Sequence, residues 1–172
     1  MTTLTRDRQQ AARKADAERF TAIAAKHAPP RWQIIYRDDR SLNGYTYPID
    51  FKIVAPSPVT RRRLYVFLHE CGHAWLDHHE YGRKKPMYLQ EFEAEQWAMR
   101  VMREEGVPVP RASTRRAKSY VAWKIRIAVA RGAKRIDRKA ARFAGFKTTD
   151  FKTVKQTVAK ERDLGVDGSI TS

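Results

Sequence analysis

The stretch Thr60-Arg-Arg-Arg-Leu-Tyr-Val-Phe-Leu-His69-Glu-Cys-Gly-His73-Ala-Trp-Leu76 decides how the rest of the chain is interpreted. Its apolar residues recur at intervals of three and four, as they do in a helix with one face in a protein core; they are Leu64, Phe67, Leu68, Cys71, Ala74 and Trp75. Thr60 directly precedes this pattern and is a suitable N-cap. The pattern therefore predicts a helix over residues 61–80, with no break before Gly82.

Two histidines in this helix have the spacing of metal ligands. His69 and His73 are four residues apart, so their imidazoles lie on one face, one turn from each other. Two neutral imidazoles in this arrangement bind Zn2+, and the pattern His-Glu-x-x-His adds Glu70 beside them. Zinc acidifies a water molecule, and Glu70 is then placed to accept its proton as the general base of a hydrolysis. The alternative is that both histidines are ordinary polar residues of a charged helix.

The immediate surroundings favour a metal site over that alternative. Apolar residues on both sides of the histidines provide the dry shell that a catalytic metal requires. Gly72 precedes the second histidine, at a position where a side chain would crowd any element packed on the helix. Cys71 lies between the histidines, but its position two residues after His69 points it into the core, where a free cysteine behaves as a small hydrophobe.

A catalytic zinc usually has three protein ligands, so the sequence must supply one more. His79 follows His73 by six residues, which is the spacing of a metzincin, but that geometry requires a helix break where this chain has Leu76. We therefore expect His78 and His79 at the surface or, at most, near the substrate.

The next predicted helix, residues 87–105, begins with carboxylates: Glu91-Phe-Glu93-Ala-Glu95-Gln-Trp-Ala98. Glu91 and Glu95 share a face of this helix and Glu93 lies on the opposite side. Periodicity does not choose among the three.

The strings Leu68-His-Glu-Cys-Gly-His-Ala-Trp-Leu76 and Glu93-Ala-Glu-Gln-Trp-Ala98 resemble the ImmA/IrrE family of small bacterial and phage metallopeptidases. The resemblance covers about residues 32–105, and differs in having Cys71 where leucine is usual and Glu95 where Asn or Asp is usual. It implies a gluzincin-like Zn2+ site with His69, His73 and Glu93 as ligands and Glu70 as general base. It also implies hydrolysis of a peptide bond in an intracellular protein substrate, for example a regulatory protein or repressor.

The remaining patterns predict an α+β fold. We expect a polar helix over 6–27 and strands at 32–36, 45–48 and 50–55. The three-stranded sheet would pack on the metal-site helix and the Glu-bearing helix, as in a minimal zincin core. Residues 1–110 would form this core, and 111–172 a basic helical extension, packed on the core or tailing it. Gly44 to Tyr47 would be an edge strand that receives an extended peptide, and Tyr45 or Tyr47 would bind substrate or lend a hydroxyl to the oxyanion, with packing as the alternative.

Charge separates the C-terminal region from the rest. The chain has a formal charge of +16, and residues 111–147 contain thirteen Lys or Arg and one acid, a balance of +12. They predict two helices broken near Gly132, the first with an inner face of Tyr120, Trp123, Ile127 and Ala130. We expect nucleic acid to bind there through phosphates, with these candidates: Arg115, Arg116, Lys118, Arg131, Lys134 and Arg135. The competing interpretation is a basic helical cover over a protease core.

Composition indicates the cellular compartment of the protein. Residues 1–20 lack a signal-peptide core, the uncharged runs are too short for a membrane span, and Cys71 is the single cysteine. We therefore expect a cytoplasmic protein without membrane contact. A basic nucleic-acid-associated module with a structural or vestigial zinc site is the alternative function. A protease similar to SprT would combine both functions, but that family uses a third histidine.

Overall fold

The computed structural model describes residues 3–78 and 85–146. Within them the fold is α+β, as predicted, with five helices and three strands: α1 (Thr3–His27), β1 (Gln33–Arg37), β2 (Tyr45–Tyr47), β3 (Lys52–Pro56), α2 (Arg61–Trp75), α3 (Met87–Glu104), α4 (Arg111–Ala130) and α5 (Arg138–Phe143). His79 and residues 147–172 lie outside the described residues. No helix in the described ranges combines the length and the apolar character needed to cross a membrane.

The sheet has the strand order β1-β3-β2, so β2 is an edge strand. β3 pairs in parallel with β1 and antiparallel with β2. Successive side chains of a strand point to opposite faces, and Ile53 and Ala55, on one face of β3, are fully buried. Contact between the rings of Tyr36 and Phe67, at 5.7 Å, shows that α2 covers this face.

The chain divides into two compact units, and the division falls within the continuous helix α3, between Phe92 and Glu93. Of the described residues, the first unit contains 3–78 and 93–113. Its core is formed by apolar side chains of α1, β3, α2 and α3, and the largest fully buried ones include Phe67, Ile53, Leu64, Leu68 and Met102.

The second unit contains residues 85–92 and 114–146 of the described chain and has its own apolar core. That core is built on Tyr88, Val121, Ile125, Val129 and Ala140. The predicted inner face of α4 was therefore wrong. The sequence of α4 carries two apolar stripes, and the smaller residues, including Ala117 and Val121, form the buried one.

The N-terminus of α2 is as predicted and its C-terminus is not. Thr60 accepts a hydrogen bond from the Arg63 N–H at 3.3 Å and caps the helix. The helix ends at Trp75, five residues before the predicted end, because Asp77 adopts a left-handed conformation with φ of 47°. The Asp77 N–H then bonds to the Ala74 carbonyl at 3.3 Å and the His78 N–H to the His73 carbonyl at 3.1 Å. These two bonds form a Schellman motif, which folds the chain back over the last turn.

Candidate metal centre

The two helices that carry the candidate ligands touch at a glycine. A Cβ atom added to Gly72 would lie 3.1 Å from the Ala94 Cα atom and 3.2 Å from its carbonyl oxygen. Any side chain at this position would push α3 away from α2. This confirms the expectation that Gly72 permits close packing on the histidine-bearing helix.

The imidazoles of His69 and His73 converge as their spacing predicts. Their Nε2 atoms are 3.2 Å apart, and the rings are nearly perpendicular, with centroids 4.8 Å apart. Two nitrogens that share one zinc ion at about 2.0–2.1 Å in tetrahedral geometry are about 3.3–3.4 Å from each other. The separation of the two Nε2 atoms therefore fits a common metal ion.

The carboxylate grouped with these histidines is that of Glu91. One ligand atom from each of His69, His73 and Glu91 lies within 4.8 Å of the other two. This departs from the ligand set implied by the family resemblance, which contained Glu93. Residues two apart on a helix are rotated by about 200° about its axis. Glu91 and Glu95, four residues apart, therefore lie on the same side of α3, and Glu93 lies on the other side.

A second carboxylate lies beside His69, on the side of the ring away from His73. The Nδ1 atom of His69 is 3.4 Å from Glu95 Oε1, and Glu95 is buried. Tyr65 donates a hydrogen bond from its hydroxyl to Glu95 Oε2. Burial, and then the Glu95 charge, raise the pKa of Tyr65, so the phenol remains a donor across the physiological range. Tyr65 thereby fixes the Glu95 carboxylate, which lies at ion-pair distance from His69 Nδ1, on the side where metal-binding histidines usually meet an outer-shell carboxylate.

His73 is supported in a different way, through a second histidine. Its Nδ1 atom lies 2.9 Å from His78 Nδ1, and His78 Nε2 lies 2.9 Å from Glu93 Oε2. The His78 side chain is fully buried. The expectation that His78 lies at the surface was therefore wrong, because the Schellman motif returns it to the face of α2 that carries His73.

The hydrogen-bond network defines the tautomers of His78 and His73. Glu93 can only accept while it is ionised, so His78 carries its proton on Nε2 and leaves Nδ1 as an acceptor. His73 must then donate from its own Nδ1 to His78 Nδ1. His73 consequently presents an unprotonated Nε2 atom towards His69 Nε2, and an unprotonated imidazole nitrogen is the form that binds a metal ion.

Glu70 is held at the edge of the sheet. Its buried carboxylate accepts a hydrogen bond from the Thr46 hydroxyl, with 2.6 Å between Thr46 Oγ1 and Glu70 Oε2. A Cβ atom on Gly44 would lie 2.5 Å from Glu70 Cγ and 2.7 Å from its Oε1. The backbone of the chain entering β2 thus lies directly against the side chain of the candidate base.

Tyr45 and Tyr47 do not approach this point. Because Thr46 faces Glu70, strand alternation directs both tyrosines to the opposite face of the sheet, where they are 47% and 43% exposed. Arg37 lies over the Tyr45 ring at 5.6 Å and Lys52 over the Tyr47 ring at 4.9 Å. The expected oxyanion role of the two tyrosines does not fit this geometry. Strand alternation in Tyr-Thr-Tyr could have indicated that Thr46 lies on the opposite face of the sheet from the two tyrosines. It could not have indicated which of the two faces is covered by α2.

Cys71 is fully buried, as expected for a core residue. Burial, followed by the nearby charge of Glu70, raises the pKa of its thiol well above the usual range. It therefore packs as a small hydrophobe beside the centre.

The candidate nucleic-acid residues belong to a different part of the chain. All six are exposed: Arg115, Arg116, Lys118, Arg131, Lys134 and Arg135. They are spread along α4 and the segment that follows it.

Comparisons with protein-family models, with curated proteins and with solved structures found no match to the chain.

Proposed function

We propose that this protein is a zinc-dependent metallopeptidase in which His69, His73 and Glu91 bind the metal ion and Glu70 is the general base. The observation that carries the proposal is the pair of Nε2 atoms 3.2 Å apart, with a carboxylate from Glu91 in the same group. Two histidines and one glutamate are a ligand set of catalytic zinc, which keeps a fourth position open. The donor set therefore fits the ion.

The role proposed for each residue follows from the contacts of its side chain. When bound, zinc supplies Lewis acidity and makes water available as a nucleophile near neutral pH. Glu70 lies next to His69 in the sequence and accepts the proton, while Thr46 holds one of its carboxylate oxygens. The His78–Glu93 pair keeps His73 in the required tautomer and orientation, and Glu95 lies beside the Nδ1 atom of His69.

A peptide is the substrate that the surroundings of Glu70 favour. β2 is an edge strand, and its first residues border the Glu70 side chain. An extended peptide that adds to this edge by main-chain hydrogen bonds would bring one of its carbonyl groups to the base. The resemblance to the ImmA/IrrE family suggests an intracellular regulatory protein or repressor as the substrate, and we propose a cytoplasmic setting.

The alternative is a nucleic-acid-associated module whose zinc is structural or vestigial. A structural zinc site normally closes its fourth position with Cys or His. Cys71 packs in the core, and His78 is hydrogen-bonded behind His73. A buried carboxylate at Glu70, held by a hydroxyl, also has no purpose in a structural site. These observations favour catalysis.

The test compares Glu70→Gln with Glu104→Gln, which makes the same chemical change on an exposed side chain of α3. Zinc-loaded parent and both variants would be assayed on fluorescein-labelled casein and on a randomised peptide mixture, with cleavage followed by mass spectrometry. The proposal predicts a loss of about 100-fold or more for Glu70→Gln with full zinc content, and parental activity for Glu104→Gln. Equal activity of Glu70→Gln and the parent, or a zinc-loaded parent that cleaves nothing in the mixture, would overturn it.

A further inference from the structure

Most of the excess positive charge of this protein lies in one part of the described chain. Residues 111–146, called the basic segment below, contain twelve Lys or Arg and a single acid, a balance of +11 against +16 for the whole chain. The segment comprises α4, α5 and the turn between them. Its charge is therefore a local property of the second unit, with only residues 111–113 belonging to the first.

The cations are available to a partner. Ten of the twelve side chains are exposed: Arg111, Arg115, Arg116, Lys118, Arg131, Lys134, Arg135, Arg138, Lys139 and Arg142. Within residues 3–78 and 85–146, neither Arg115 nor Lys118 forms an ion pair, and the same holds for the exposed cations of residues 131–142. The one acid, Asp137, is the N-cap of α5 and accepts hydrogen bonds from the N–H groups of Lys139 and Ala140 at 2.8 and 2.9 Å.

The ten exposed cations form two groups separated by the rest of α4. One group lies in its first two turns, and the other, with six cations, lies in residues 131–142. Arg115 and Ala130 are fifteen residues apart, which corresponds to about 22 Å along a helix axis. Gly132, with φ of 88°, lies in the turn that follows α4, so the second group follows the C-terminal end of this helix. A ligand that engages both groups must be an extended polyanion.

The chemistry of the side chains suits a phosphate backbone. Eight of the twelve cations are arginines, whose guanidinium group binds phosphate in a bidentate manner. A lipid surface would require apolar side chains to enter the membrane interface. The large exposed hydrophobic residues of the described chain include Ile49, Phe51 and Met87, and none of them belongs to the basic segment.

We propose that the basic segment binds the phosphate backbone of a nucleic acid, in addition to the hydrolytic centre on α2 and α3. Contact is made chiefly with phosphates and carries little sequence information. The structure offers this surface independently of zinc, because none of the proposed ligands or their supporting residues belongs to the segment.

The experiment measures binding of the full chain to fluorescein-labelled DNA and RNA, as a short duplex and as a single strand, by fluorescence anisotropy at several salt concentrations. If four phosphates are neutralised, affinity falls roughly 150-fold between about 50 and 200 mM salt. Charge reversal at Arg131, Lys134, Arg135 and Arg138 is expected to remove about 100-fold or more in affinity at low salt and most of the salt dependence. Circular dichroism and zinc content show whether the variant is folded.

A matched control distinguishes the effect of the basic segment on binding from the effect of the protein's net charge. Reversal at Arg6, Arg8, Arg13 and Lys14, all exposed on α1, replaces the same residue types and changes the net charge by the same amount. The control is expected to bind within about tenfold of the parent, since only long-range attraction is reduced. Replacement of the four segment residues by Gln provides a second variant should reversal unfold the protein.

Three results would overturn the proposal. They are absence of binding by the parent at low salt, equal loss in the segment and control variants, and binding of the parent to phosphatidylserine vesicles as tightly as to nucleic acid at equal phosphate concentration.

Discussion

The Nδ1 atom of His73 lies 2.9 Å from the Nδ1 atom of His78, five residues further along the chain. The contact exists because α2 ends at Trp75 and the following turn reverses over it. It continues through His78 Nε2 to the Glu93 carboxylate at 2.9 Å. The second histidine of the pair is thus supported by a histidine and a carboxylate in series, whereas the first is supported by Glu95 directly.

Replacing His78 by phenylalanine is expected to weaken zinc binding about 10- to 100-fold, because the acceptor for the His73 Nδ1–H is lost while the volume of the side chain is largely kept. Competition with a chelator measures this affinity. Glu93→Gln, which keeps an acceptor for His78 but removes the charge, should lose less. Nitrogen NMR should show His73 protonated on Nδ1 in the parent. Parental zinc affinity in His78→Phe would mean that the contact has no influence on the site.

The approach of the chain to Glu70 predicts that Gly44→Ala abolishes hydrolysis and preserves zinc. The new methyl group would occupy space within 2.5 Å of Glu70 Cγ, so the carboxylate must move, while the ligands on α2 and α3 are untouched. Thr46→Val should lower kcat by removing the hydrogen bond to Glu70, and Thr46→Ser should restore it. Activity and metal content are measured on the same samples. Full activity in Gly44→Ala would contradict the assigned position of the base.

The contacts of Glu105 predict how the free energy of unfolding depends on pH. Hydrogen bonds from Lys26 and then His27, each 2.7 Å from Glu105 Oε1, lower the pKa of this carboxyl in the folded state. A lowered folded pKa means that the stabilisation is complete above the unfolded pKa and disappears as the pH falls through the folded value. The side chains are partly exposed, so the free energy of unfolding should drop by no more than about 1 kcal/mol in Glu105→Gln.

The corresponding measurement is denaturant unfolding of the parent and Glu105→Gln from neutral to acidic pH. The difference between them should shrink towards zero in acid. Lys26→Met should reproduce part of the effect and add little to it in the double variant, because both substitutions remove the same contact. A difference that grows as the pH falls would show that the sign is wrong.

Local patterns were sufficient for the fold class and for the start of the histidine-bearing helix α2. The spacing of Leu64, Phe67, Leu68 and Cys71 reports which side of α2 is buried, and burial of all four follows it. The end of α2 could not be predicted, because a left-handed C′ position is usually glycine and here it is Asp77. His78 was consequently assigned to the surface.

Which carboxylate is grouped with the two histidines depends on tertiary packing, so the sequence alone could not choose among the three glutamates. Glu91, Glu93 and Glu95 differ only in helical phase, and the rotation of α3 against α2 is set by the contact between Gly72 and Ala94. The inner face of α4 was wrong for a related reason. Its aromatic residues, Tyr120 and Trp123, pack beside each other at 5.6 Å while smaller residues fill the core.

The central claim is a zinc ion bound by His69, His73 and Glu91, and the metal content of a matched pair of variants tests it most directly. Full-length parent, Glu91→Ala and Glu93→Ala would be purified without added metal, dialysed against limiting zinc and analysed by elemental mass spectrometry. We expect one zinc per chain in the parent, almost none in Glu91→Ala, and zinc retained with lower affinity in Glu93→Ala. A parent without stoichiometric transition metal, or zinc kept by Glu91→Ala and lost by Glu93→Ala, would contradict the claim.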